Sequence, residues 1–476
     1  MIILNRRQVL GSGAALLGGA SMPAAANPWP KAGKLPPFYG EIEKRTFQWF
    51  WDTASRKNGL VPDRWPTPSF SSIAAVGFAL PAYATGIEHG WCTRAEARDL
   101  TLTTLRFFWN APQGPEASGT AGHHGFFYHF LDMQKGHRYG PDVELSSVDT
   151  TILLMGILFA GAFYNRADPA EREIRTLAKA IYDRADWNFF RTDGRPALSM
   201  GWHPGQGLIE RNWDGFNEGM FVNILALGSL THAGPDSLWP QWTAPYPRYW
   251  RGQGPTRRVA FAPLFGHQYS HLFIDFRGIR DAPMRHAGFD YFENSRRATF
   301  ANRNYCAVNP MRWRGYSRDV WGLTACDGPG NFRLPYRGEQ RQFFGYSARG
   351  PIDEPDGRDD GTLSPTAALG SLPFAPEIVI PCAQALLKQH GARIFGKYGF
   401  FDSFNPSFTY ADRKIESGTV DPRTGWVAKD YLGIDQGPIL LQAANYRDDF
   451  VWRYMRGVPA IRRGLKRAGF TGGWLA

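Results

Sequence analysis

Along the chain, apolar residues recur at helical spacing in ten segments of helix length: 40–54, 71–89, 94–109, 144–163, 169–185, 216–230, 264–276, 290–307, 376–395 and 437–454. Pro- and Gly-rich connections separate them, and alternating β-branched runs of useful length are nearly absent, so the pattern predicts an all-α chain. Segments 71–86 and 147–163 are apolar almost all round, whereas 169–185 opens with acids, carries Arg and Lys through its middle and keeps a wet face. Alternation of buried and amphipathic helices is what two concentric helical rings require. No fixed-period repeat points instead to a stack of solenoid units.

The connections add detail. Two of them, 234–258 and 333–361, exceed the usual loop length and predict functional insertions; the second, rich in Gly, Arg and Asp, reads as a mobile lid or a surface excursion. The segment from His123 to Phe130 reads as a groove-lining turn or hairpin. At the start of the chain, Arg6-Arg7 precedes a short apolar run from Val9 to Ala20 and then Met22-Pro23-Ala24-Ala25-Ala26. That is the pattern of a twin-arginine export signal over residues 1–26, which predicts a periplasmic domain spanning 27–476. No later apolar stretch reaches membrane-spanning length, so no membrane partner is expected.

Composition narrows the chemistry. Aromatic residues make up 15% of the chain, with 17 Trp, 19 Tyr and 34 Phe. Such rings fill a helical core, and beside carboxylates in a cleft they suit the C–H faces of sugars. The net charge of +11 is dispersed, and the basic stretch Arg462-Arg463-Gly464-Leu465-Lys466-Arg467 suits a helix C-terminus, so a nucleic-acid partner is not expected. An acidic polysaccharide is compatible with charge alone. The four cysteines, Cys92, Cys306, Cys326 and Cys382, lack CxxC or Cys/His zinc spacing, and no motif predicts a metal or cofactor.

Acid–base cleavage of a glycosidic bond uses two carboxyl groups, one protonated and one ionised. Carboxylates embedded in apolar and aromatic sequence are therefore the candidates. Glu218, in Trp213-Asp214-Gly215-Phe216-Asn217-Glu218-Gly219-Met220, falls in the first turn of the apolar 216–230 segment. Burial there favours the protonated form, although a carboxylate at that position also suits the helix dipole. Asp435 sits just before Gly437-Pro438, where an N-cap is expected, and Asp149 follows Glu144 and Ser146-Ser147-Val148 at the start of another apolar helix. Capping accounts for both nearly as well as catalysis does. Asp327 lies in an Asp-Gly-Pro turn near Trp321, a ring able to stack on a sugar. His267 and His271 share a helical face at metal-ligand spacing, but the glutamate of HExxH is missing. The polar side chains of that segment, Tyr269 and Arg277 among them, are read instead as binding sugar hydroxyls or tying helices together.

Taken together, WDGFNEGM at 213–220, FGHQYSHLFIDFRGIRD at 265–281, WGLTACDGP at 321–329, DGTLSPTAALGSLPFAPE at 360–377 and YLGIDQGPI at 431–439 resemble the glycoamylase-like domain family, which includes bacterial endo-β-1,2-glucanases. The resemblance runs from GLVPDRW at 59–65 to the C-terminal helix. It implies an (α/α)6 barrel, inverting hydrolysis of a β-1,2-glucan or its oligosaccharides, no cofactor, and a general acid at Asn217-Glu218. It leaves the base open: Asp435 is the first candidate and Asp149 the second, since a substrate hydroxyl can relay the proton. Trp213, Asn217, His267, Tyr269, Arg277, Trp321 and Asp327 are the expected substrate-binding residues. The family's Gly-Tyr-Asn-Glu-Ala-Met is here Gly-Phe-Asn-Glu-Gly-Met, a departure that bears on linkage and chain-length preference. Alternatives are hydrolysis or transglycosylation of another β-glucan, a polysaccharide lyase, and a glucan-binding protein without catalysis.

Overall fold

A computed structural model describes residues 33–191 and 197–476; the export-signal pattern at 1–26 lies outside them. The described chain is predominantly helical. Its principal helices are α1 (Pro37–Thr53), α2 (Ile73–Glu88), α3 (Arg94–Asn110), α4 (Ser147–Phe163), α5 (Pro169–Arg184), α6 (Met220–Gly228), α7 (Phe265–Phe273), α8 (Tyr291–Val308), α9 (Pro365–Leu369), α10 (Pro376–Ile394), α11 (Gly433–Asp448) and α12 (Pro459–Arg467).

Two classes of helix follow from the pattern of apolar positions. Nearly every residue of α2, α4 and α6 is buried, as their all-round apolar sequences require, and α11 is buried from Asp435 to Asn445 although it carries Asp435, Gln436, Gln442 and Asn445 there. By contrast α5 buries one stripe, Ile174, Ala178, Ile181 and Tyr182, and is started by Asp168, whose side chain accepts from the Glu171 amide. α3 opens with a reciprocal capping box between Thr93 and Glu96. The buried helices touch in sequence. α2 meets α4 backbone to backbone at Gly77 and Gly156; a Cβ on Gly77 would lie 2.5 Å from the Ile152 carbonyl oxygen, and one on Gly156 2.1 Å from that of Gly77. Only glycine permits that approach. Farther round, Ser270 of α7 donates to the Glu218 carbonyl ahead of α6, Gln268 of α7 donates to the Ala367 carbonyl of α9, and Thr366 of α9 donates to the Asp435 carbonyl of α11. α11 packs back on α2, where Gly437 lies against Phe78.

The structure departs from the all-α expectation in its connections. These hold many short antiparallel pairs, the longest being Phe332–Tyr336 with Glu339–Phe343. Strands of two or three residues are too short to leave an alternating signature. The expected hairpin near His123 is present, Gly122–His123 pairing with Phe126–Phe127 across His124 and Gly125 at positive φ. Connection 234–258 contains the short helices Leu238–Thr243 and Tyr246–Tyr249. Within 333–361, Arg349 is fully buried and donates to both oxygens of Asp360 and to the carbonyls of Cys326, Ser347, Phe344 and Gly345. A buried guanidinium with its donors satisfied ties this segment to the body of the fold. The four cysteines are free thiols.

Candidate active site

A cleft of about 520 Å³ opens where several buried helices begin. Asp149 enters it from the first turn of α4, Glu218 from the residues ahead of α6, and Ile434 from the first turn of α11, while Tyr269 of α7 supplies a wall. His129, Glu144, Asp63, Arg64, Trp213 and Tyr346 add polar and aromatic groups to the lining.

Glu218 is not in a helical first turn, as the sequence suggested. α6 starts two residues later with Gly219 as its N-cap, so Glu218 belongs to the approach. That approach is shaped by Asn217, whose amide oxygen accepts from the Gly219 amide at 2.9 Å while its nitrogen donates to the Asp214 carbonyl at 3.2 Å. Oε2 of Glu218 is buried without a hydrogen-bond partner. Burial, with a smaller contribution from the charge of Asp149, pushes its carboxyl up to about 7. It is therefore half protonated near neutrality, in contact with the cleft.

Asp149 is held differently. Ser146, the N-cap of α4, accepts from the Asp149 amide at 3.1 Å and donates its hydroxyl to Oδ2 at 2.6 Å. Oδ1 faces Nε2 of His129 at 3.5 Å, and Nδ1 of the same ring contacts Glu144 Oε1 at 2.8 Å. Burial raises the Asp149 carboxyl, and the His129 charge and the Ser146 hydroxyl oppose that rise. For His129, burial alone would lower the imidazole; Asp149 and Glu144 reverse the sign and lift it to about 9. These three side chains bring ligand-type atoms within 4.8 Å of one another. His129, however, spends one ring nitrogen on each carboxylate, so the cluster is described by charge pairing.

Asp435 does not cap α11; the helix begins at Gly433 and places Asp435 in its first turn. Nor does it line the cleft. It is buried in a hydrogen-bonded pair with Asp402, in which burial first and the neighbouring Asp402 second raise the Asp435 carboxyl well above the usual range. Burial raises Asp402 as well, to about 7, so the pair holds a proton in common; Asp402 also accepts from the Asp327 amide at 2.7 Å and the Ser403 hydroxyl at 3.1 Å. Nearby, Arg64 spans Asp63 at 3.1 Å and Asp327 at 2.8 Å.

The remaining expected binding residues divide. Trp213 lines the cleft, its indole N–H donating to Ser147 Oγ at 2.8 Å, and Tyr269 lines it with its hydroxyl on the Ile434 carbonyl at 3.3 Å. Asp327 reaches the site through Arg64, and Asn217 through the backbone that carries Glu218. Three residues are placed elsewhere. Trp321 is fully buried in the core, which leaves no face for a sugar. His267 packs in the interior against Phe216, and burial lowers both His267 and His271 to about 3, making them neutral core imidazoles. Arg277 bonds Asp275 and Asp449 and lies over Trp452 at 4.3 Å, tying α7 to the C-terminal helices instead of meeting the cleft.

His129, Glu144, Asp402 and Arg64 are the polar groups that sequence reasoning did not assign. Asp402 carried a usable signal, since it stands in Phe400-Phe401-Asp402-Ser403-Phe404, a carboxylate among aromatics. His129 falls in the segment read as groove-lining, but nothing marked its partners, which lie fifteen and twenty residues away.

The chain is similar to several known proteins. Residues 210–459 match the Glycoamylase family model, described as "Putative glucoamylase". An exo-β-1,2-glucooligosaccharide sophorohydrolase (non-reducing end) of Parabacteroides distasonis is 26% identical over 90% of this chain, and the chain spans 57% of that relative's length. A solved structure from Bacteroides uniformis, bearing the same description as the family, superposes with a TM-score of 0.77 at 30% identity, covering 92% of this chain and 98% of the other. The endo-β-1,2-glucanase of Chitinophaga pinensis, solved with sophorotriose and glucose, gives a TM-score of 0.76 at 26% identity, with 92% and 98% covered. More than half of the chain falls within the family match, and the chain belongs to the Glycoamylase family.

Proposed function

We propose that this protein is an inverting glycoside hydrolase of β-1,2-linked glucan or its oligosaccharides. The observation that carries the reading is the pair of unlike carboxyl groups on one cleft: Glu218, lifted to about 7 and unpartnered at Oε2, and Asp149, held beside a histidine cation. In the reaction Glu218 gives its proton to the glycosidic oxygen as the C1–O bond breaks. Asp149 takes a proton from the water whose oxygen bonds C1 from the opposite face. Asp435, first choice on sequence, is the weaker base because it already carries a proton shared with Asp402 and lies behind the lining. The relatives' printed activities support the linkage. The cations lining the cleft, Arg64 and His129, are each paired to carboxylates, which favours a neutral glucan over the uronate a lyase would need.

The same reading takes α2, α4, α6, α7, α9 and α11 as an inner ring and the others as an outer ring of an (α/α)6 barrel, supported by the succession of contacts from α2 round to α11. The Arg6-Arg7 pattern supports export to the periplasm. Incubating the purified protein with linear β-1,2-glucan and following fresh products by proton NMR tests the function. The α-anomer is expected first; initial β-anomer, or no reducing sugar from β-1,2-glucan, contradicts it.

A further inference from the structure

We propose that His129 is a positioning residue for this reaction, an imidazolium clamped between Glu144 and Asp149 that fixes the Asp149 carboxylate and keeps it ionised opposite Glu218. The proposal rests on the reading of Asp149 as the base. Its support is geometric. Glu144 anchors the ring twice over, through the 2.8 Å contact from Nδ1 and through its main-chain oxygen, which accepts from the His129 amide at 3.0 Å. The ring plane is set from the side by Phe130, stacked at 3.8 Å and 21°. With ring position and tilt both fixed, Nε2 points at Asp149 Oδ1, while Ser146 holds Oδ2. Each oxygen of Asp149 therefore has one partner, an ion pair with His129 at Oδ1 and a hydrogen bond from Ser146 at Oδ2, and the two orient the carboxylate.

The charges around the ring favour the cation. Glu144 and Asp149 touch it, Asp63 acts on it through space, and His203 acts on Glu144 through space. Arg64 faces Asp63. Glu218 lines the same cleft, where the Asp149 charge helps keep its proton on. One cation placed in this way serves both carboxyls: it lowers the proton affinity of Asp149, and the resulting Asp149 anion raises that of Glu218. A buried acid–base pair needs that separation of proton affinities.

Two measurements test the inference. In protein labelled with 15N-histidine, the His129 ring nitrogens should titrate well above the other histidines, and Asp149→Asn should bring that titration down by about one pH unit or more. A neutral His129 at pH 7, or a titration indifferent to Asp149→Asn, overturns the proposal whether or not the protein turns over any glucan. In wild type active on β-1,2-glucan, His129→Gln should lower kcat about tenfold to a hundredfold with KM nearly unchanged, and should move the acid limb of kcat/KM upward by about one unit. His129→Ala should regain activity with added imidazole, most strongly at pH values where imidazole is charged. A folded His129→Gln protein with an unmoved acid limb overturns the positioning role. Absence of turnover in wild type overturns the proposed function instead, and the titration still decides the question of His129.

Discussion

The two acidic clusters beside the cleft bury comparable charge by opposite means. Glu144 and Asp149 are kept anionic by a histidine cation between them. Asp402 and Asp435 are kept tolerable by a proton between them, with Arg64 compensating Asp327 and Asp63 on the outer side. Desolvation acts on both clusters, and what differs is the species that offsets it. A cation leaves the carboxylate free to accept a proton from water, whereas a shared proton occupies that capacity. The cation-paired cluster lines the cleft, and the buried Asp435 does not. Under the proposed function, the contrast favours the first cluster for base chemistry and the second for architecture.

Replacing Glu218, which shares the cleft with Asp149, is expected to have the largest effect. Glu218→Gln should lower kcat on β-1,2-glucan by about a hundredfold to ten-thousandfold while leaving binding nearly intact, because the amide keeps the shape but transfers no proton. An aryl glucoside oligomer, whose leaving group needs little protonation, should recover much of that loss. Equal modest losses on both substrates would remove Glu218 from the mechanism.

The comparison itself is sharpened by two isosteric changes. Asp149→Asn removes the acceptor and should cost roughly a hundredfold or more in kcat. Asp435→Asn keeps the hydrogen bond that a protonated carboxyl already makes to Asp402, so its cost should be less than about tenfold. The reverse ranking would exchange the roles of the clusters.

The smallest effect is on stability, and its sign is fixed by linkage. The Glu218 carboxyl is raised from 4.5 to about 7, so the stability it contributes is complete below pH 4.5 and is lost as pH rises through 7. Glu218→Gln is neutral throughout. Its melting temperature relative to wild type should therefore climb between pH 4.5 and 8, by roughly 1–3 °C. A difference that stays flat with pH would show that Glu218 is not buried as a neutral acid.

Much of this arrangement was legible in the sequence, and the reasons differ from residue to residue. The helices at 71–89, 94–109, 169–185 and 376–395 agree with α2, α3, α5 and α10 to within about two residues, because apolar period and capping residues act locally. The start of α11 was read four residues late, since Gly437-Pro438 looks like a first turn and in fact lies inside the helix. Among site residues, Glu218 stood out because a lone carboxylate in apolar sequence is a local anomaly. Trp321, His267 and Arg277 stood out by motif alone, and tertiary packing turned them inward or toward the C-terminal helices. The pairing of His129 with Asp149, and of Asp402 with Asp435, depends on which helix starts converge. Residues twenty or thirty-three apart in the chain reveal no such convergence by spacing.

The claim that Asp149 is the base across from Glu218 is tested most directly by chemical rescue. Asp149→Ala leaves room beside the anomeric carbon for a small anion that needs no deprotonation. With azide added, this variant is expected to regain turnover on an activated β-1,2-linked substrate and to yield the α-glucosyl azide, the inverted product. Rescue of Asp435→Ala but not of Asp149→Ala, or a β-glucosyl azide from the Asp149 variant, would contradict the account.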